Sequence, residues 1–265
     1  MDGIEWSPFF NQKFIDAIAE CSSSSTRGPD HVLWRHLKVL ILHNTCLARL
    51  VYIANACIIL EYLPSYFKSA NTIVIPKLNK ILHNTLSFFQ PIVLLNTTGK
   101  LVEKVISNKL QFHMTANGFL DPNQLGDIRQ RSTTNTGVYL THLICAGWLR
   151  QCHTSVIAFD IAQFFLSLNH EFLSTCLKKA RLNTNVVGFF NSYYSNWSTI
   201  YTWNNFSSPA FNTNVGVDQG LAFSPILFAI YFTPIIKTFK KRIKNLKENI
   251  PTDIFSFMDD SLLIS

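Results

Sequence analysis

The sequence predicts an α+β fold, and three features carry that expectation. Segments with apolar residues at helical spacing are mixed with short β-branched runs, no regular strand–helix–strand rhythm connects them, and no internal repeat divides the chain. With 265 residues, 48% of them hydrophobic and 15% charged, the chain can bury a real core in one large domain or two small ones.

Residues 8–20 have helical periodicity, with Phe10, Phe14, Ile15 and Ile18 on or near one face. A serine run at 22–25 leads into Arg27-Gly28-Pro29-Asp30, a turn or loop composition. Helices are expected over 31–42 and 44–60, broken by Pro64, and a short β-branched strand over 72–76. After a loop, 99–117 reads as a helix with Gly118 as its cap, and 134–152 as another. The compact apolar strand 155–159 delivers Asp160 at its end. Helices follow at 169–180 and 185–194, then paired strands within 199–215 around Asn204-Asn205. A helix over 224–241 runs into a basic segment, and the last strands, 253–257 and 262–264, hinge at Asp259-Asp260.

The formal charge of +7 suits a phosphate-bearing partner, although many plain basic proteins share it. The basic run at 237–247 reads by default as a solvated helix face. The six cysteines, 21, 46, 57, 145, 152 and 176, form no C-x-x-C pair and stand at no zinc-ligand spacing with histidine, so they read as plain thiols of a reducing compartment. Acidic residues near the start exclude a secretory leader. The greasiest stretch, 46–60, carries Arg49 and Asn55 and is too short to span a bilayer, which makes it a buried helix and the chain a non-membrane protein.

The chemistry concentrates in three acids. Phe257-Met258-Asp259-Asp260 puts two adjacent carboxylates in an apolar strand context, which is costly without compensation. Alone it would read as a polar turn. Asp160, also directly after an apolar strand, shifts the balance, because carboxylates at the ends of neighbouring strands can converge on Mg²⁺, a hard cation that keeps positions open for phosphate and water. A site of two ions about 3.5–4 Å apart would stabilise both the attacking and the leaving oxygen of a phosphoryl transfer.

The order Asp160-Ile-Ala-Gln-Phe-Phe165, then Gly216-Val-Asp-Gln219-Gly220 with Ser224-Pro225, then Phe257-Met-Asp-Asp260 resembles motifs A, B and C of reverse transcriptases, most closely the non-LTR (LINE-like) retrotransposon group. Upstream, Arg27-Gly-Pro-Asp30, Ile75-Pro-Lys77, Gln90-Pro-Ile-Val-Leu-Leu95, and Gln124-Leu-Gly126 with Arg129-Gln-Arg-Ser-Thr133 are similar in the same order, giving seven blocks over nearly the whole chain.

The resemblance implies the fingers and palm of a right-hand polymerase, an antiparallel sheet with packed helices. Residues 1–68 would be a helical segment leading into the fingers, and 69–265 the reverse transcriptase domain. It implies RNA-directed DNA polymerase activity, adding dNTPs to a DNA primer on an RNA template with two Mg²⁺ ions, Mn²⁺ being a substitute. Asp160 and Asp259 would bind both metals, Asp260 would assist, and the carbonyl of Ile161 would complete a metal or triphosphate contact. Phe165 would be the steric gate against a ribose 2′-OH, with core packing as the plain alternative. Gln219 and Gly220 would lie against the nucleotide and the template base, and Lys77 would meet the triphosphate unless it is a solvated lysine after a strand. Arg129, Arg131, Ser132 and Thr133 would touch the template, a helix N-cap being equally open to Ser132 or Thr133. The implied location is intracellular, nuclear with a cytoplasmic phase.

The pattern departs from the family at Gln90, where an arginine usually clamps the triphosphate, and at Asp127, Leu166 and Leu221. The chain stops five residues after Asp260, so the expectation is a fragment truncated after motif C, without thumb or endonuclease and with little activity alone. The competing expectations are a catalytically dead nucleic-acid-binding remnant and a group II intron maturase-like protein.

Overall fold

The computed structural model describes residues 4–76, 85, 88–126, 128–129, 131–161, 167–213, 221–245, 252–258 and 260–265. They form α1 (Asn11–Ala19), α2 (Trp34–Leu40), α3 (Asn44–Ile59), a 3₁₀ turn (Ser65–Lys68), β1 (Ser69–Pro76), β2 (Phe89–Leu95), α4 (Thr97–Ala116), α5 (Thr133–Leu149) and β3 (Val156–Asp160). Next come α6 (His170–Lys179), α7 (Thr184–Tyr193), β4 (Trp197–Trp203), β5 (Phe206–Ser207), β6 (Phe211–Thr213), α8 (Ser224–Lys244), β7 (Asp253–Phe257) and β8 (Asp260–Ile264). The chain divides into two compact units, residues 1–108 with 168–224, and residues 109–167 with 225–265.

In the first unit the sheet runs β2-β1-β4-β5, with β6 also paired to β4. Its β1–β4 pair is parallel, so this sheet is mixed, and the expected antiparallel sheet is the one that carries the acids in the second unit. The parallel pair arises because the long segment between β1 and β4 returns the chain to the same end of the sheet, which a hairpin could not do. β2 was legible only as a motif block: Pro91 and Gln90 obscure its strand character, yet it pairs with β1 along its length. Alternation buries Ala70, Thr72, Val93, Leu95, Trp197 and Thr199. The hydroxyls of Thr72 and Thr199 share a 2.7 Å hydrogen bond inside that face.

Aromatic packing fills much of the rest. Tyr193 meets Phe223 at 5.0 Å and Trp197 at 5.3 Å between ring centroids, and Phe190 meets Phe223 at 5.1 Å, all edge-on as ring quadrupoles prefer. The Tyr193 hydroxyl donates to buried Glu103 at 3.1 Å. Asn55, the polar residue in the apolar helix α3, has a structural use: its amide oxygen accepts from the Phe9 N–H at 2.7 Å and its nitrogen donates to the Phe9 carbonyl at 3.1 Å.

The Arg27-Gly-Pro-Asp30 block packs against the start of α4. Gly28 lies directly on the Leu95–Asn96 backbone, where no Cβ would fit. Asp30 then accepts from the Thr97 N–H at 2.9 Å, supplying one of the bonds the first turn of a helix lacks. Gly118, φ +61°, follows α4 as the expected left-handed cap.

In the second unit, β3, β8 and β7 make an antiparallel sheet in that order. A short segment joins its β7 edge: Leu125 N–H donates to Ser256 O at 2.7 Å, and Ser256 N–H to Asn123 O at 3.0 Å. The basic end of α8 is more than a solvated face. Lys237 donates to the Phe119 carbonyl at 2.7 Å, and Lys240 lies 2.7 Å from Asp121 and 3.8 Å from Asp253. The periodicity of the run showed a helix but could not show which acids the fold would bring to it.

All six cysteines are free thiols. Among the described residues no single helix is long and apolar enough to cross a membrane.

Candidate active site

Two of the three acids are described, and the fold brings them face to face. β3 runs antiparallel to β8 with Asp160 opposite Asp260, Ala158 opposite Leu262 and Val156 opposite Ile264. β7 returns beside β8 with Phe257 opposite Asp260. Because successive side chains point to opposite faces, Asp160, Asp260 and Phe257 share one face with Ala158, Leu262 and Phe255. Met258, at φ +55°, takes the chain out of β7 through a left-handed residue. Asp259 lies outside the described residues.

Both carboxylates are exposed and line a cavity of about 520 Å³. Its floor is the sheet, through Ala158, Phe159, Phe255, Phe257, Ser261 and Leu262, and its other wall is Thr133, Thr136, Gly137 and Leu140 of α5. Those four stand at positions i, i+3, i+4 and i+7 of one helix face. Sequence reasoning overlooked Thr136, Gly137 and Leu140, although this spacing was the signal that could have found them. α5 is held to the sheet where Tyr139 packs on Phe255 at 5.0 Å.

Like charges directly opposite across an antiparallel pair repel, and a cation between them removes the penalty. Two carboxylates open to solvent at a largely apolar cavity, with the hydroxyl residues Thr133, Thr136 and Ser261 also in its lining, suit a hard divalent ion that keeps part of its hydration shell. The residues present therefore fit such an ion. Among the described residues no group of three acid, histidine or cysteine ligands assembles.

The expected template-binding residues separate into different situations. Ser132 is the N-cap of α5: its hydroxyl accepts from the Asn135 N–H at 3.3 Å and donates to the Asn135 side chain at 2.8 Å. Thr133 faces the cavity. The Arg131 guanidinium donates to the carbonyls of Asp121, Pro122 and Gln124, fastening the loop before α5. Burial lowers its pKa, with Asp121 opposing the shift. Arg129 is exposed. Ile161 is half-buried just beyond β3. Gln90 is exposed on β2, opposite Ile75 of β1. Lys77, Phe165, Gln219 and Gly220 lie outside the described residues, as do Asp127 and Leu166. Leu221 is buried at 5% exposure, which gives an apolar residue at that position a packing role.

Residues 75–265 match the family model described as reverse transcriptase (RNA-dependent DNA polymerase). The chain is 26% identical over 225 residues to the probable RNA-directed DNA polymerase from transposon BS of Drosophila melanogaster, covering 84% of this chain and 24% of that protein. It is 23% identical over 264 residues to the Pol polyprotein of the type-2 retrotransposable element R2DM of the same organism, covering 98% of this chain and 23% of that protein. The chain thus spans about a quarter of the length of these curated relatives. Among solved structures, telomerase from Candida albicans is similar with a TM-score of 0.52 at 12% identity, over 77% of this chain and 39% of that one. Apo telomerase from Candida tropicalis aligns at 0.52 and 14%, over 77% and 44%.

Fold and likeness together define a fingers-and-palm polymerase architecture. The chain belongs to the reverse transcriptase family.

Proposed function

We propose that this chain is the RNA-directed DNA polymerase module of a LINE-like retroelement. The observation that carries the reading is the register of Asp160 against Asp260 at the mouth of a cavity, inside a segment that matches the reverse transcriptase family. The primer 3′-oxygen forms a bond to the α-phosphorus of a dNTP, the bond from that phosphorus to its bridging oxygen breaks, and pyrophosphate leaves while the 3′-hydroxyl proton passes to water. Bound there, two Mg²⁺ ions, or Mn²⁺ in their stead, would lower the pKa of the attacking hydroxyl and neutralise the departing charge.

The chain's own residues do the rest. Asp160 and Asp259 hold the ions, Asp260 assists, and the Ile161 carbonyl adds a backbone donor. Phe165 excludes a ribose 2′-OH by its bulk. Gln219 and Gly220 lie against the nucleotide and template base, Gly220 allowing close backbone approach. Lys77 meets the triphosphate as a mobile cation. Arg129 and Thr133 contact the template strand. Arg131 and Ser132 serve it indirectly, one fastening the preceding loop and the other capping α5.

Residues 1–68 lead into the domain that begins at 69, a division supported by a family match starting at residue 75. The partners are an RNA template, a DNA primer and dNTPs, with thumb and endonuclease regions supplied by a parent polyprotein. The proposed location is the nucleus, after a cytoplasmic phase.

The test is Mg²⁺-dependent primer extension on an RNA template by the chain joined to a thumb, with Asp160→Asn and Asp260→Asn beside it. Extension is expected from the native chain, and its persistence in Asp160→Asn would discard the site. Gln90 favours a second reading, a nucleic-acid-binding remnant without turnover, because the neutral amide cannot clamp a triphosphate. Binding of primer–template without extension, restored to extension by Gln90→Arg, would select that reading.

A further inference from the structure

The second unit carries a device that the acids alone do not explain. Gly126 lies against the start of the acid-bearing turn. A Cβ added there would overlap the Met258 nitrogen, and would stand 3.0 Å from Met258 Cγ and 3.1 Å from the Phe257 carbonyl carbon. Backbone atoms cannot yield as the end of a flexible side chain can. A side chain at 126 would therefore push the turn away, and with it the end of the hairpin where Phe257 pairs with Asp260.

The segment bearing Gly126 is anchored from several directions. Asn123 Nδ2 donates to Ile254 O at 2.9 Å, and the Leu125 and Ser256 peptides bond as a strand pair. Gln124, fully buried, accepts from the Thr233 hydroxyl of α8 at 3.1 Å. The Arg131 guanidinium holds three carbonyls of the same loop. From β7, Ser256 Oγ donates to Met258 O of the turn at 2.9 Å. A left-handed residue such as Met258 persists only where its surroundings over-determine it, and this segment supplies those surroundings.

We infer that Gly126 is a positioning residue of the carboxylate site, setting where the acid-bearing turn stands against Asp160, with Ser256 of β7 as its partner. The inference rests on the proposed divalent-cation reading of that site. The segment 123–126 acts as a rigid stop: it fixes the turn from the side away from β8, while the β3–β8 register fixes Asp260 opposite Asp160. Separation between carboxylates that share an ion must hold within tenths of an ångström, so the absence of a Cβ at 126 becomes a requirement of the site as well as of packing.

The experiment measures Mn²⁺ binding to the full chain by calorimetry and electron paramagnetic resonance, with circular dichroism and melting recorded in parallel. The set is native, Asp160→Asn, Gly126→Ala, Ser256→Ala and Gly188→Ala. Gly188 is the control, since the three atoms nearest a Cβ there all belong to the flexible side chain of Glu61 in the first unit. Gly126→Ala is expected to bind Mn²⁺ at least tenfold more weakly at temperatures where its circular dichroism matches the native chain. Ser256→Ala is expected to weaken binding less, and Gly188→Ala not at all. Should Gly126→Ala fail to fold, Ser256→Ala carries the test, because it removes one hydrogen bond and adds no bulk. Native-like Mn²⁺ affinity in the folded Gly126→Ala chain, or in Ser256→Ala where that chain stands in for it, overturns the positioning role. Equal binding by native and Asp160→Asn overturns the cation site itself, a separate outcome read from a separate pair.

Discussion

Gly28 rests so closely on Leu95 that a Cβ at 28 would overlap the Leu95 carbonyl oxygen. The contact ties the loop before α2 to the end of β2 and lets Asp30 reach the first turn of α4. Gly28→Ala is expected to lower unfolding stability by about 1–3 kcal/mol, the usual cost of overpacking where backbone must move. Urea denaturation measures it, and a loss under about 0.5 kcal/mol, the range of ordinary surface changes, would mean that the loop shifts freely.

Lys240 holds Asp121 at 2.7 Å, and the Asp121 side chain is only 5% exposed. The same carboxylate accepts from the Asn123 N–H at 2.9 Å, so the pair anchors the loop that leads to Gln124. Lys240→Met should cost about 1–3 kcal/mol, because a largely buried carboxylate loses its counter-charge. Added salt should narrow the gap between native and variant, since Lys240 is partly exposed.

Asp160→Asn should act in opposite directions with and without a divalent ion. In chelator the variant should melt slightly higher than the native chain, because the repulsion across the Asp160–Asp260 pair is gone. In Mg²⁺ only the native chain should gain stability, following binding to the folded state. An equal gain in both chains would put the ion elsewhere.

Cys57 gives a pH dependence. Burial in α3 pushes its thiol up to about 11 from an ordinary 9.0. A raised value in the folded state means the protonated thiol is favoured there, so its contribution is complete below pH 9 and fades as the pH rises toward 11. Native stability should therefore fall more steeply than that of Cys57→Ala between those values. Parallel slopes in urea titrations across that window would remove the assignment.

Much of the chain was readable residue by residue. The helical stretches lie within a few residues of where periodicity put them, because apolar spacing is a local property that tertiary packing then uses. Asn204, at φ +51°, turns β4 into β5 where the Asn-Asn pair indicated. β2 was not readable as a strand, since its strand character comes from pairing with β1 rather than from Gln90-Pro91. The parallel β1–β4 pair was equally hidden, because the pairing partner of a strand lies more than a hundred residues away.

The three acids stood out in the sequence as charges set after apolar runs, Asp160 turning the Asp259-Asp260 pair away from a plain polar-turn reading. The sequence also determined the family, through blocks whose order survives even where Gln90 departs from it. Only the tertiary structure decided that Asp160 stands opposite Asp260, that Arg131 fastens a loop and that Ser132 caps a helix. It alone shows why position 126 carries glycine: the residue meets Met258 across a gap of 132 positions, and steric exclusion between distant segments leaves no periodic trace in the chain.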